Sequence, residues 1–141
     1  MTDTPVIRLD IIIHATEDAD KIFESIYQTL GINPEIFDTT QTRGHYRNPI
    51  IMATATLRKT DATRFISIFS DKLGIYQRDE ITQTISTRIS NSSLYLRLDR
   101  QEIIRNGSVI LQDSGTIRIK IHVPIHNRRA EDVFADILCL Y

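Results

Sequence analysis

Residues 116 to 123, Thr-Ile-Arg-Ile-Lys-Ile-His-Val, alternate apolar and polar side chains without a break. Successive side chains of a strand point to opposite faces, so Ile117, Ile119, Ile121 and Val123 face a core while Arg118, Lys120 and His122 share the other side. That is the signature of a sheet with one wet face, and here the wet face is cationic. Two further segments repeat it. Leu94, Leu96 and Leu98 alternate with Tyr95, Arg97 and Asp99, and Ile7, Leu9, Ile11 and Ile13 alternate with Arg8, Asp10 and His14. If the three strands are neighbours, the open face collects Arg97, Arg118, Lys120, Tyr95 and the histidines His14 and His122, a surface suited to a polyanion.

A chain of 141 residues fits a single domain, one that buries about two-thirds of its unfolded surface. Its one cysteine, Cys139, lies between Leu138 and Leu140 at the end of a helical pattern and reads as a small buried hydrophobe in a reducing compartment. The first residues lack a basic stretch and a long apolar run, so neither a secretion signal nor a membrane span is expected, and the expected location is cytoplasmic. Seventeen basic residues against eighteen acidic ones give a formal charge of -1, so attraction to nucleic acid has to be local.

Along the chain, a first strand near Val6 to His14 leads to Thr16, a candidate helix cap, and to a helix reaching Leu30. Its inward face is Ile22, Phe23, Ile26 and Leu30, and Gly31 stands where a left-handed C-terminal residue is wanted. A strand near Ile36 to Thr42, the connection from Arg43 to Pro49 and a strand from Ile50 to Arg58 suggest a hairpin. Thr60 and Asp61 are expected to cap a second helix faced by Phe65, Ile68, Phe69 and Leu73 and closed by Gly74. Ile81, Ile85 and Ile89 suggest a third helix between Arg78 and Ser90, followed by the strand ending at Asp99 and a helical turn over Arg100 to Arg105. Two strands separated by Asn106-Gly107 and Asp113-Ser114-Gly115, then a short helix through Ala130, Val133, Phe134, Ile137 and Leu138, complete the chain. The expected fold is a single α+β domain over residues 1–141, with a largely antiparallel sheet and helices on one face.

The five glycines are all used as helix stops or turns, which leaves no glycine pair to cradle a nucleotide phosphate. A lone cysteine remote from the histidines gives no structural zinc set, and no nucleophile elbow is present. No cofactor is expected. Glu17, Asp18 and Asp20 could converge on metal ions, with His14 as a further ligand, but acids in a first helical turn also stabilise the helix dipole, and that reading needs no metal.

The loop Arg43-Gly44-His45-Tyr46-Arg47 mixes two guanidiniums, an imidazole and a phenol, a combination that suits stacking on unpaired bases beside neutralised phosphates. It also reads as an ordinary polar hairpin with Tyr46 packed back on the sheet. For the basic face the competing readings are charge pairing, Asp10 or Asp99 offsetting Arg118 and Arg97, and a homodimer interface using the outward apolar residues Ile12, Ile50 and Met52.

His14-Ala15-Thr16-Glu17-Asp18, Gly44-His45-Tyr46-Arg47-Asn48-Pro49-Ile50 and Leu94-Tyr95-Leu96-Arg97-Leu98-Asp99-Arg100-Gln101 resemble, in the same order, three signature segments of archaeal proteins described as RNA-binding or predicted exosome subunits. The resemblance covers almost the whole chain. It implies an α+β fold like that of the ribosomal protein that binds 5S ribosomal RNA, an archaeal source, and a role in RNA processing or translation. It supplies no catalytic residue, so it implies a binding module and not an enzyme. The expectation is a noncatalytic RNA-binding domain acting through Arg43, His45, Tyr46, Arg47, Tyr95, Arg97, Arg118, Lys120 and His122, with a possible RNA-processing complex or homodimer as partner. The rival expectation is a protein-interaction or dimerisation module without RNA affinity.

Overall fold

The computed structural model describes residues 4–43 and 48–140. Among the described residues six strands form one antiparallel sheet: β1 (Val6–His14), β2 (Asp38–Arg43), β3 (Pro49–Leu57), β4 (Ile89–Ser90), β5 (Ser93–Leu98) and β6 (Ile117–His122). Their spatial order is β2-β3-β1-β6-β5-β4, so the first strand sits at the centre, paired with β3 on one side and β6 on the other. The three alternating segments of the sequence, β1, β6 and β5, are therefore consecutive in space.

The α+β architecture follows from what each side of those strands can bury. Ile7, Leu9, Ile11 and Ile13 of β1, Ile117, Ile119 and Ile121 of β6, and Leu94, Leu96 and Leu98 of β5 all lie in the core. Each such side chain contributes roughly 1.5–3 kcal/mol when fully buried, so the alternation fixes which face the helices cover. Among the described residues five α-helices supply the cover: α1 (Ala19–Leu30), α2 (Lys59–Lys72), α3 (Ile75–Thr84), α4 (Arg100–Asn106) and α5 (Ala130–Leu138). The core receives Ile22, Ile26 and Leu30 from α1, Phe65 and Phe69 from α2, and Phe134 and Leu138 from α5. None of the described helices is long and apolar enough to cross a membrane.

Local details depart from the sequence reading in several places. Helix α1 is capped by Asp18, whose carboxylate accepts from the Lys21 amide at 3.2 Å, and not by Thr16. The N-cap of α2 is Arg58, so the helix is already under way at Thr60 and Asp61, and Asp61 instead accepts from Arg64 at 3.0 Å. Gly74 opens α3 where it was expected to close α2, whose C-cap is Leu73. Ile81 and Ile85 are buried as expected, but the helix tightens into a 3₁₀ turn at Ile85–Arg88 before Ile89 enters β4. The next corner is tight: Ser90 and Ser93 are paired, and Asn91 and Ser92 both have positive φ, 50° and 63°, as a two-residue hairpin requires.

The strand expected between Gly107 and Asp113 is reduced to a single bridge between Leu98 and Leu111. Val109 and Leu111 are buried, so their alternation is real, but it serves an extended segment lying on the end of β5. Cys139, expected to be buried, is exposed: it follows the last inward residue of α5 and takes the left-handed C-cap position with φ 53°. Arg78 anchors that corner. Its guanidinium donates to Leu73 and Leu138 carbonyls at 3.1 Å and also to those of Ser70 and Cys139, serving the C-terminal ends of α2 and α5 together.

Candidate nucleic-acid interface

The open face of the sheet carries the side chains that alternate with the core set. Register places them in rows across the strands. One row is Asp38, Thr54, Asp10, Arg118 and Arg97, running from β2 through β3, β1 and β6 to β5. The next is Thr56, Arg8, Lys120 and Tyr95. A third joins Val6, His122 and Ser93. Neighbouring strands stand about 5 Å apart and alternate residues of one strand about 7 Å apart, so Arg8, Arg118, Lys120 and Arg97 occupy one compact patch.

Two pairs in this patch set like charges directly opposite each other: Arg97 faces Arg118, and Lys120 faces Arg8. Such pairs destabilise a sheet by a few tenths of a kcal/mol, the reverse of what fold stability alone would favour. The expected pairing of Asp10 with Arg118 and of Asp99 with Arg97 does not form. Asp10 turns to Arg8, whose Nε lies 3.1 Å from one carboxylate oxygen, and accepts from the Thr54 hydroxyl at 2.7 Å. Asp99 caps α4, accepting from the Gln101 amide at 2.9 Å. Among the described residues Arg118 and Lys120 have no ion-pair partner.

The remaining members are held in place. Arg97 Nε donates to the Gly115 carbonyl at 2.9 Å, which aims its guanidinium along the end of β5. That contact depends on a glycine, since a Cβ on Gly115 would lie 2.2 Å from the Leu98 carbonyl oxygen. Lys120 Nζ lies 5.8 Å from the centroid of the Tyr95 ring, within cation–π range, while Tyr95 keeps 43% of its surface exposed. Arg8, Asp10, Tyr95, Arg97, Arg118 and Lys120 line a shallow depression of about 460 Å³. At the end of the patch, Nδ1 of His122 lies 2.9 Å from the Ser93 hydroxyl.

The residues singled out from sequence divide into three groups. Tyr95, Arg97, Arg118, Lys120 and His122 come together. His14 does not join them: it is opposite Ile50 at the other end of β1, beyond the reach of β6. Arg43 is likewise remote. It ends the edge strand β2 opposite Pro49, in the register that alternates with Thr42 and Thr40 and so points away from the open face. His45, Tyr46 and Arg47 lie outside the described residues. Sequence reasoning left out Arg8, whose place beside Lys120 depends on the β1–β6 pairing, and Arg88, which borders the patch from the 3₁₀ turn.

Ile12, Ile50 and Met52 do lie on the open face, at the corner away from the cations, with Met52 39% exposed. The acidic cluster after β1 is occupied structurally. Glu17 accepts from the His14 amide at 2.9 Å and pairs with Arg100, which is 9% exposed and also donates to the Ile12 carbonyl at 2.6 Å. Asp18 caps α1, and the described residues contain no group of three or more His, Cys, Asp or Glu that could hold a metal ion.

The chain is similar to several archaeal proteins. It is 27% identical over 121 residues to an uncharacterized protein of Methanocaldococcus jannaschii, which covers 79% of each chain. It is 25% identical over 134 residues to an RNA-binding protein of Pyrococcus abyssi, covering 90% of this chain and 86% of that one. The fold is shared with a crystal structure of a Sulfolobus solfataricus protein, with a TM-score of 0.76 at 24% identity over 95% of this chain and 97% of the other. A family model described as RNA binding matches residues 6–125, from the start of β1 to just past β6, and the chain belongs to that family.

Proposed function

We propose that this chain is a noncatalytic RNA-binding domain that engages structured or unpaired RNA through the basic face of β1, β6 and β5. The observation that carries the reading is the unrelieved like-charge contact of Arg97 with Arg118, joined by Lys120, which also has no ion-pair partner among the described residues, beside the exposed ring of Tyr95. A sheet that tolerates mutually repelling cations on a wet surface gains from an anion laid over them. Arg118, Lys120, Arg97 and Arg8 neutralise phosphates, Tyr95 stacks on a base, and His122 extends the contact at the end of β6. Arg43, with His45, Tyr46 and Arg47 that follow it in the chain, supplies a second point of contact. Family membership supports RNA as the ligand. The resemblance to predicted exosome subunits and to the 5S-RNA-binding ribosomal protein adds an accessory role in RNA processing or translation, in the cytoplasm.

The test is fluorescence anisotropy of a labelled single-stranded RNA and a structured RNA over a salt series, wild type against Arg97→Ala/Arg118→Ala/Lys120→Ala. The expected result is binding whose logarithmic salt slope becomes shallower by about two to three units in the folded triple variant. Absence of binding by the wild-type protein at low salt overturns the proposal.

A second reading has its own observation. Ile12, Ile50 and Met52 form an apolar corner on the same open face, which suits association of two copies. Sedimentation velocity on the wild type and Met52→Lys tests it: a dimer that the variant dissociates supports this reading, and a wild-type monomer at high concentration removes it.

A further inference from the structure

A second depression, about 400 Å³ in volume, adjoins the basic patch and shares Tyr95 and Arg97 with it. Its other walls are chemically different. Glu80 and Thr84 come from α3, Thr87 and Arg88 from the 3₁₀ turn, and Asp113 from the turn that precedes β6. Tyr95 therefore stands between a compartment dominated by cations and one that also holds two carboxylates.

A phosphate is a poor occupant of the second compartment, because Glu80 and Asp113 repel it. The carboxylates are not consumed by the neighbouring cation either. Arg88 Nη2 lies 3.9 Å from Glu80 and 4.0 Å from Asp113, both beyond hydrogen-bonding distance, while its Nε donates to the Thr84 hydroxyl at 2.7 Å. Arg88 itself is only 14% exposed, and Asp113 is 96% exposed and free to turn. The pocket thus offers carboxylate acceptors with open lone pairs, a largely buried guanidinium with unused donors, and an aromatic wall.

Among nucleobases one matches that set. Guanine presents two adjacent donors, N1–H and the N2 amino group, to a single carboxylate, and its O6 and N7 accept from a guanidinium. Adenine and cytosine place a ring acceptor beside their amino donor, and uracil flanks its single N–H with two carbonyls, so each sets an acceptor against the carboxylate. We propose that the pocket bounded by Tyr95, Arg88, Glu80 and Asp113 receives a guanine base from an RNA strand whose phosphates lie on the basic face. The inference rests on the RNA-binding reading above and adds a base preference to it. The base leaves the strand at Tyr95, stacks against that ring, and places its Watson–Crick edge on Asp113 or Glu80.

The test compares an oligouridylate with the same oligomer carrying one central guanosine, and with inosine in its place, by anisotropy at moderate salt. Wild-type protein is expected to bind the guanosine oligomer about tenfold more tightly than the oligouridylate, with inosine falling between them because it lacks the N2 amino group. The Glu80→Gln/Asp113→Asn variant is expected to bring the guanosine-to-uridine ratio to within about twofold of one. A wild-type ratio already near one, as expected if the carboxylates only balance the charge of Arg88, overturns the guanine assignment while RNA binding stands. A full preference retained by the variant overturns it too. Failure of every oligomer and of structured RNA to bind at low salt is the separate result that removes the underlying RNA-binding reading.

Discussion

Arg97 and Arg118 are direct partners across β5 and β6, on the open face of the sheet, and neither forms an ion pair among the described residues. An arrangement of this kind opposes stability and favours anion capture. Arg118→Thr should therefore move the two properties in opposite directions. The fold should gain about 0.5 kcal/mol in urea unfolding, while the salt slope of RNA binding drops by about one unit. Loss of stability in the variant would show that the opposed arginines are not in conflict.

Tyr95 separates stacking from charge. Its hydroxyl takes part in no hydrogen bond among the described residues, and its ring lies beside Lys120. Tyr95→Phe should bind RNA like the wild type, whereas Tyr95→Ala should weaken binding by about 1–3 kcal/mol. The salt slope should stay the same in both, because no phosphate contact is removed. Anisotropy titrations at several salt concentrations distinguish the two effects.

Gly115 links a backbone constraint to the site. A methyl group there meets the Leu98 carbonyl, so the turn has to move and take the acceptor of Arg97 with it. Gly115→Ala should destabilise the protein by about 1–3 kcal/mol and weaken RNA binding even under conditions where the variant is fully folded. Chemical denaturation, with anisotropy well below the midpoint, checks both parts.

Arg100 holds the turn between β1 and α1 to the start of α4, by pairing with Glu17 and donating to the Ile12 carbonyl. Arg100→Ala leaves Glu17 without its cation and the Ile12 carbonyl without that donor, and should cost roughly 3 kcal/mol in urea unfolding. Arg100→Lys should recover less than half of this, since one ammonium cannot reproduce a fork that reaches two acceptors.

The sequence determined faces more securely than neighbours. Alternation in β1, β5 and β6 assigned each side chain to core or solvent because a one-residue slip would expose every isoleucine. It could not assign strand order, since Ile119 would be equally well buried beside any apolar strand. Arg8 was overlooked for that reason: read locally it has Asp10 in its own register, and only the pairing with β6 brings it to Lys120. The helix caps failed on the same distinction. Thr16 and Asp18 are both good local caps, and the choice falls to Asp18 in a turn tied by Glu17 to Arg100, far along the chain. Val109 and Leu111 alternate like a strand, yet an extended segment lying on the core needs the same pattern without a ladder. His14 was grouped with the basic face because alternation gives the side of the sheet a residue faces, not how far along β1 the pairing with β6 extends.

The central position of β1 ties the basic face to the history of the chain. Arg8 belongs to the first of the described strands and its partner Lys120 to the last of them, and β6 fills the place between β1 and β5. A nascent chain that has not yet produced His122 can form the β2–β3–β1 portion, but it cannot bring Tyr95 and Arg97 alongside Arg8. Long-range pairings of this kind close late. The basic face is thus complete only once β6 has docked between β1 and β5, and its cations come together in that one step.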